Sequence, residues 1–278
     1  MAPPSLPERW EPYPADAPPG VRLMVRRRIL SPELRNYRDV VVALPPSYDA
    51  GNDRYPVVYM QDGQNLFDPA TSYAGHWRLL DTLADLGARG VEAIVVGIAN
   101  AGRHRLYEYS PFRDPHRGGG GGDRYLAFTA ETLKPMIDTG FRTLAERRHT
   151  AIAGSSMGGL ISLYALYRYA DVFGSAAALS PSVWFARRAI LPYIARHADL
   201  AVGRLYLDIG LDEPSGAVSD ARALRDLLLE TGLILGRDLD YVEDEAGAHN
   251  EETWGRRVSR ALPFVLGRGD ESSDPLPG

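Results

Sequence analysis

The chain has 278 residues, 45% of them hydrophobic and 24% charged, with no cysteine and a formal net charge of −5. Disulfides and thiolate chemistry are excluded. The acidic balance speaks against a nucleic-acid partner, and no apolar run approaches the ~18 residues of a membrane span.

In chain order, residues 1–20 carry seven prolines and read as an extended arm without the basic and apolar regions of a secretory signal; a cytoplasmic setting is expected. The segments 21–30 (VRLMVRRRIL) and 38–45 (RDVVVALP) read as an antiparallel hairpin. Apolar runs then recur at 56–60, 91–98, 149–154, 175–180 and 204–210, as buried parallel strands require. The more polar run 239–244 (LDYVED) suits a sheet edge. Between them, 76–90 places Trp77, Leu80 and Leu83 on one helical face. The segment 219–232 has Ser219 as N-cap, Leu224, Leu227 and Leu228 on one face, and Gly232 as its stop. Strands alternating with helices predict an α/β fold: a mainly parallel central sheet with helices on both faces and an N-terminal antiparallel hairpin. A single domain over 21–267 is expected, followed by a disordered tail, 268–278.

Residues 154–158, Gly-Ser-Ser-Met-Gly, fit G-x-S-x-G. An apolar strand precedes them and helical apolar spacing follows, the strand–turn–helix setting in which the middle serine occupies a sharp apex. Ser156 is the candidate nucleophile. A serine hydroxyl needs a base to take its proton. In such a fold the acid and then the base follow the nucleophile along the chain. His76, His104, His116 and His149 precede Ser156, and His197 falls in a helix-like stretch. His249 follows the last strand at the edge where Ser156 should sit, and is the expected base. The acid belongs in the loop after the strand ending at Gly210, where Asp212 and Glu213 are both candidates. Asp208 lies inside the strand, and Asp244 and Glu245 lie close to His249 in sequence. An oxyanion calls for two backbone N–H donors. Met157, at the start of the following helix, supplies one. The loop after 56–60 supplies the other through Gln64, with Gly63 permitting close approach. Asp62 of that loop and Trp184, beyond the strand at 175–180, are placed on the substrate side.

Two further features have plainer readings. The five-glycine run 118–122 lacks a P-loop lysine and reads as a mobile loop. Arg103, Arg105, Arg113, Arg117 and Arg124 form either a solvated face or a loop attracting an anionic ligand to the site.

The blocks VVYMQDGQNLFD, GIANAGRHRLYEYSP, IAGSSMGGLISLYAL, LSPSVWF and AGAHNEETW together resemble an esterase family of α/β-hydrolases that includes enterochelin-esterase-like enzymes, esterase D and feruloyl esterases. The resemblance covers about residues 20–267 and implies the α/β-hydrolase fold. It implies a Ser–His–acid hydrolase of carboxylic esters, without metal or other cofactor, acting on a small-molecule ester. It carries Ser156 and His249 over directly and favours Glu213 over Asp212. An acyltransferase using the same residues, or a non-catalytic binding protein of this fold, are the alternatives. Neither the natural ester nor the oligomeric state is legible.

Overall fold

The computed structural model describes residues 9–73, 75–200 and 203–267. The first eight residues of the proline-rich arm and the expected tail from 268 lie outside them. Eleven strands are formed among the described residues. They are β1 (Glu11–Pro12), β2 (Arg22–Ser31), β3 (Asn36–Leu44), β4 (Val57–Met60), β5 (Ile94–Ile98), β6 (Arg113–Asp114), β7 (Gly118–Gly119), β8 (Thr150–Ser155), β9 (Ser175–Leu179), β10 (Arg204–Gly210) and β11 (Leu239–Asp244). Nine of them build one sheet in the order β1-β2-β3-β5-β4-β8-β9-β10-β11. The pairs from β5 through β11 are parallel, whereas β1–β2, β2–β3 and β3–β5 are antiparallel. The expected hairpin is β2–β3, and the polar strand β11 is the edge.

Every residue of β4, β5 and β8 is buried, and side chains alternate between the two faces. Val57, Tyr59, Ile94, Val96 and Ile152 enter one core, while Val58, Met60, Val95, Ala151 and Ala153 enter the other. The continuous apolar runs follow from this: a strand covered on both sides has no solvent face to carry polar residues. The helices are α1 (Leu79–Ala88), α2 (Arg105–Glu108), α3 (Gly122–Ala127), α4 (Lys134–Gly140), α5 (Met157–Arg168), α6 (Phe185–Arg188), α7 (Ile190–Arg196), α8 (Ser215–Glu230) and α9 (Glu251–Val265). Helix α1 packs with α9 on one face of the sheet, and α5 with α7 and α8 on the other.

Three local expectations are corrected. Helix α8 begins at Ser215, four residues before the expected cap. Ser219 lies inside it with its hydroxyl donating to the Gly216 carbonyl at 2.9 Å. Pro214, whose ring fixes φ, sets the helix entry instead. Trp77 is buried but precedes α1 rather than lying on it. The five-glycine run is an ordered turn: Gly118 and Gly119 pair with Asp114 and Arg113, and Gly122 opens α3. Positive φ at Gly118, Gly119 and Gly120 explains the composition, because the chain turns through the left-handed region there. The described part of the arm, from residue 9, is anchored to the body. Trp10 meets Phe141 edge-on at 5.0 Å, and the Tyr13 hydroxyl donates to Asp68 at 2.8 Å.

Candidate functional site

The parallel strands end together at one edge of the sheet, where the loops after β4, β8, β9, β10 and β11 converge. In open α/β sheets this edge is where ligands bind. Ser156 stands between β8 and α5 at φ 58°, ψ −122°, a region costly for a residue with a side chain, typically by ~1–3 kcal/mol. The surroundings over-determine it. Its N–H donates to the Leu179 carbonyl, and its own carbonyl accepts from the N–H groups of Leu160 and Ser182, each at 3.0 Å. The adjoining glycines are required by contact. A Cβ on Gly154 would lie 2.7 Å from Gln61 Cγ and 2.8 Å from the Gly158 backbone.

The loop after β11 brings His249 to this apex. His249 Nε2 lies 3.0 Å from Ser156 Oγ, and Nδ1 lies 2.6 Å from Glu213 Oε2. The imidazole stands edge-on to the Trp254 ring, with centroids 4.9 Å apart. The Glu213 side chain is fully buried, whereas that of His249 is 41% exposed, so the ring is open to the cleft and its partner is not. Burial alone would push the Glu213 carboxyl up. Hydrogen bonds from His249 and Ser180 outweigh it and hold the group below the usual glutamate range. Of the sequence candidates for this position, Glu213 is the one brought to His249. Asp212 is exposed, and its N–H donates to the Gly247 carbonyl. Asp208 is buried beside Arg257, and burial pushes its carboxyl up to about 7 although Arg257 opposes the shift.

The loop after β4 runs along the same edge. Gly63 approaches β5 so closely that a Cβ there would sit 2.4 Å from the Gly97 carbonyl carbon. Asp62 adopts φ 54°, and its carboxylate is held by Arg105 through two bonds of 2.7 Å and by Asn100 Nδ2 at 2.6 Å. Asn100 N–H donates to Gln64 Oε1 at 3.1 Å. The loop is thus clamped from β5 and α2. Met157 is the first residue of α5, so its N–H has no carbonyl one turn back within the helix.

Two cavities flank His249. One, about 880 Å³, is lined by Asp62, Gln64, Asn100, Arg103, Ser156 and Trp254, among others. The other, about 790 Å³, is lined by Trp184, Arg187, Pro214, Ala217 and Glu213 among others, and its wall is mostly apolar. Trp184 is 42% exposed, with Arg117 stacked 5.0 Å from its ring centroid. Of the clustered arginines, Arg103 and Arg105 line the first cavity, Arg105 with its guanidinium on Asp62, while Arg117 stacks on Trp184 beside the second. Among the described residues no group of three or more His, Asp or Glu side chains could hold a metal ion, and no helix is long and apolar enough to cross a membrane.

Sequence reasoning missed Ser180, Ser182, Trp254 and Arg257. Ser182 Oγ lies 3.3 Å from Ser156 Oγ. Ser180 Oγ receives Trp254 Nε1–H and Arg257 Nη2–H. The available signal was position: Ser180 and Ser182 directly follow the C-terminal end of a central parallel strand.

Comparison with known proteins agrees with this geometry. The model of the family described as "Putative esterase" matches residues 31–265. The chain is 30% identical over 252 residues to the uncharacterized protein YbbA of Bacillus subtilis, covering 86% of this chain and 96% of that one. It is 31% identical over 147 residues to a siderophore triacetylfusarinine C esterase of Aspergillus fumigatus, a match spanning 51% of this chain and about half, 49%, of the fungal protein. Among solved structures, a ferulic acid esterase superposes with a TM-score of 0.67 at 20% identity, covering 89% of this chain and 99% of that one. An enterobactin esterase from Shigella flexneri superposes with a TM-score of 0.69 at 20% identity, covering 92% of this chain and 61% of that one. The family match over most of the chain, on a parallel sheet that carries a strained serine at its ligand-binding edge, leads to one assignment: the chain belongs to this esterase family and is an ester hydrolase of the α/β-hydrolase fold.

Proposed function

We propose that the protein is a serine esterase that cleaves carboxylic esters of small molecules through an acyl-enzyme. The observation that carries this reading is the continuous hydrogen-bonded chain from Ser156 Oγ through His249 to the buried Glu213. Ser156 Oγ attacks the ester carbonyl while His249 Nε2 accepts its proton. Glu213 holds the tautomer with hydrogen on Nδ1 and stabilises the imidazolium that forms. The N–H groups of Met157 and Gln64 take the negative charge that develops on the carbonyl oxygen, the first of them aided by the dipole of α5. His249 returns the proton to the departing alcohol. The same residue then activates water, which releases the acid and restores Ser156. The whole site lies in one domain over 21–267, and a cytoplasmic setting belongs to the same proposal.

Cavities on both sides of His249 suit an ester bulky on both its acyl and alcohol sides, and the mostly apolar wall beside Trp184 suits an aromatic group. The named relatives, a siderophore esterase and a ferulic acid esterase, point the same way. A hydrolysis screen over short p-nitrophenyl esters, feruloyl esters and catecholate siderophores tests the reading, with competing alcohols present to capture any acyl transfer. Release of free acid with preference for aryl esters is expected. Quantitative transfer to the added alcohol would make the protein an acyltransferase, and no turnover of any ester would make it a binding protein.

Trp184 gives a sharper expectation. An aromatic contact adds ~1 kcal/mol beyond burial, a several-fold effect. In Trp184→Ala, kcat/KM for aryl esters should fall several-fold relative to acetyl esters. Equal losses on both would remove Trp184 from the pocket.

A further inference from the structure

We propose that Ser180 is a positioning residue for Glu213: its hydroxyl, filled on both lone pairs by Trp254 and Arg257, has its single hydrogen directed onto the carboxylate that orients His249. The inference rests on the roles of Ser156, His249 and Glu213 proposed above.

Ser180 follows β9 and is 1% exposed, at φ 43°. A hydroxyl carries one hydrogen and two lone pairs, whereas indole and guanidinium nitrogens only donate. Trp254 Nε1 stands 3.1 Å and Arg257 Nη2 2.9 Å from Ser180 Oγ. These two side chains, one helical turn apart on α9, occupy both acceptor sites. The hydrogen is left for Glu213 Oε1 at 2.5 Å, within the short range of an O–H···O⁻ bond. Gly210 N–H donates to the same oxygen at 3.2 Å. Oε1 is thus saturated by two donors, and Oε2 is left facing His249 Nδ1. The carboxylate can neither rotate nor take a proton without breaking this set.

The ionic surroundings act in the same direction. The charged groups around the Glu213 carboxylate are His249, Arg257 and Asp208, with Asp244 beyond the arginine. Arg257 lies 3.3 Å from Asp208, 3.9 Å from Glu213 and 3.9 Å from Asp244. One cation therefore serves three carboxylates, and Ser180 is what ties it to the one that reaches His249. Donors on Oε1 draw charge away from the side of the carboxylate facing His249. Without them Glu213 ionises less readily, since the Ser180 hydrogen bond is one of the causes that hold its carboxyl low, so less enzyme carries the ionised carboxylate that orients His249 at a given pH.

The test is a pair of variants, Ser180→Ala and Ser180→Gly, each assayed for kcat, KM and the pH dependence of kcat, beside Ser156→Ala. Glycine suits the left-handed φ and removes the hydroxyl without backbone strain. A thermal melt identifies the folded variants. Loss of one charge-assisted hydrogen bond should lower kcat about ten- to hundred-fold with KM within about two-fold. The acid limb should move up by about half to one pH unit. A folded Ser180→Gly with unchanged kcat and an unmoved acid limb, beside an inactive Ser156→Ala, would overturn the positioning role alone. An active Ser156→Ala would overturn both this inference and the roles it rests on.

Discussion

Ser156→Ala is expected to lower kcat by on the order of 10⁴ or more, with the fold intact. The size follows from what is removed. Without Oγ there is no acyl-enzyme, and the base and oxyanion donors can assist only a direct attack by water. Alanine fits the backbone left by Ser156, because the turn is held by the hydrogen bonds of its N–H and carbonyl rather than by its side chain. The neighbouring Ser155→Ala is the matched control. Ser155 is the last residue of β8 and 4% exposed, and the two imidazole nitrogens of His249 are engaged by Ser156 and Glu213 instead. A near-normal Ser155→Ala beside an inactive Ser156→Ala is the expected pattern. Substantial turnover by Ser156→Ala would remove the nucleophile from the mechanism.

The second large effect belongs to Glu213. In Glu213→Gln the amide is nearly the size of the carboxylate but neutral. It can present its NH₂ to His249 Nδ1 and so favour the wrong tautomer, with Nε2 protonated toward Ser156. It also withdraws the negative charge that stabilises the imidazolium. A fall in kcat of about 10²- to 10⁴-fold follows. Asp212→Asn should leave kcat within about two-fold, since Asp212 is exposed and His249 Nδ1 is engaged by Glu213. The steady-state kinetics of the two variants on one activated ester separate the possibilities. The opposite pattern would move the acid to Asp212, and two silent variants would leave Ser156 and His249 working as a dyad.

Much of this site could be read from the sequence because its parts are local or ordered along the chain. The elbow is a run of consecutive residues whose glycines are dictated by contacts within the turn itself, so pattern and structure coincide. His249 was reachable because strand order places the loop after the last strand at the same edge as Ser156. Glu213 and Asp212 are one residue apart, and the residue pattern alone left them open; the family resemblance preferred the one that the fold turns inward. The start of α8 was misplaced because Ser219 looks like a cap, while Pro214 followed by Ser215 is the entry the chain uses. The glycine run read as a mobile loop because composition does not reveal that Gly118 and Gly119 would find partners in Asp114 and Arg113. The support beneath Glu213 was not legible at all. Ser180, Trp254 and Arg257 come from the loop after β9 and from α9, more than seventy residues apart, and only the packing of α9 against the sheet brings them together. Asp62 was placed with the substrate, yet its carboxylate is engaged by Arg105 and Asn100 at the wall of the cleft, which a lone acidic residue in a loop does not announce.

The account stands most directly on which oxygen becomes covalently bonded. Incubation of the full chain with a fluorophosphonate probe, followed by proteolysis and tandem mass spectrometry, reads this without knowledge of the natural ester. A single adduct on Ser156, formed at a rate that falls sharply in Glu213→Gln and is absent in Ser156→Ala, is the predicted result. An adduct on Ser155, Ser180 or Ser182 with Ser156 unmodified would contradict it.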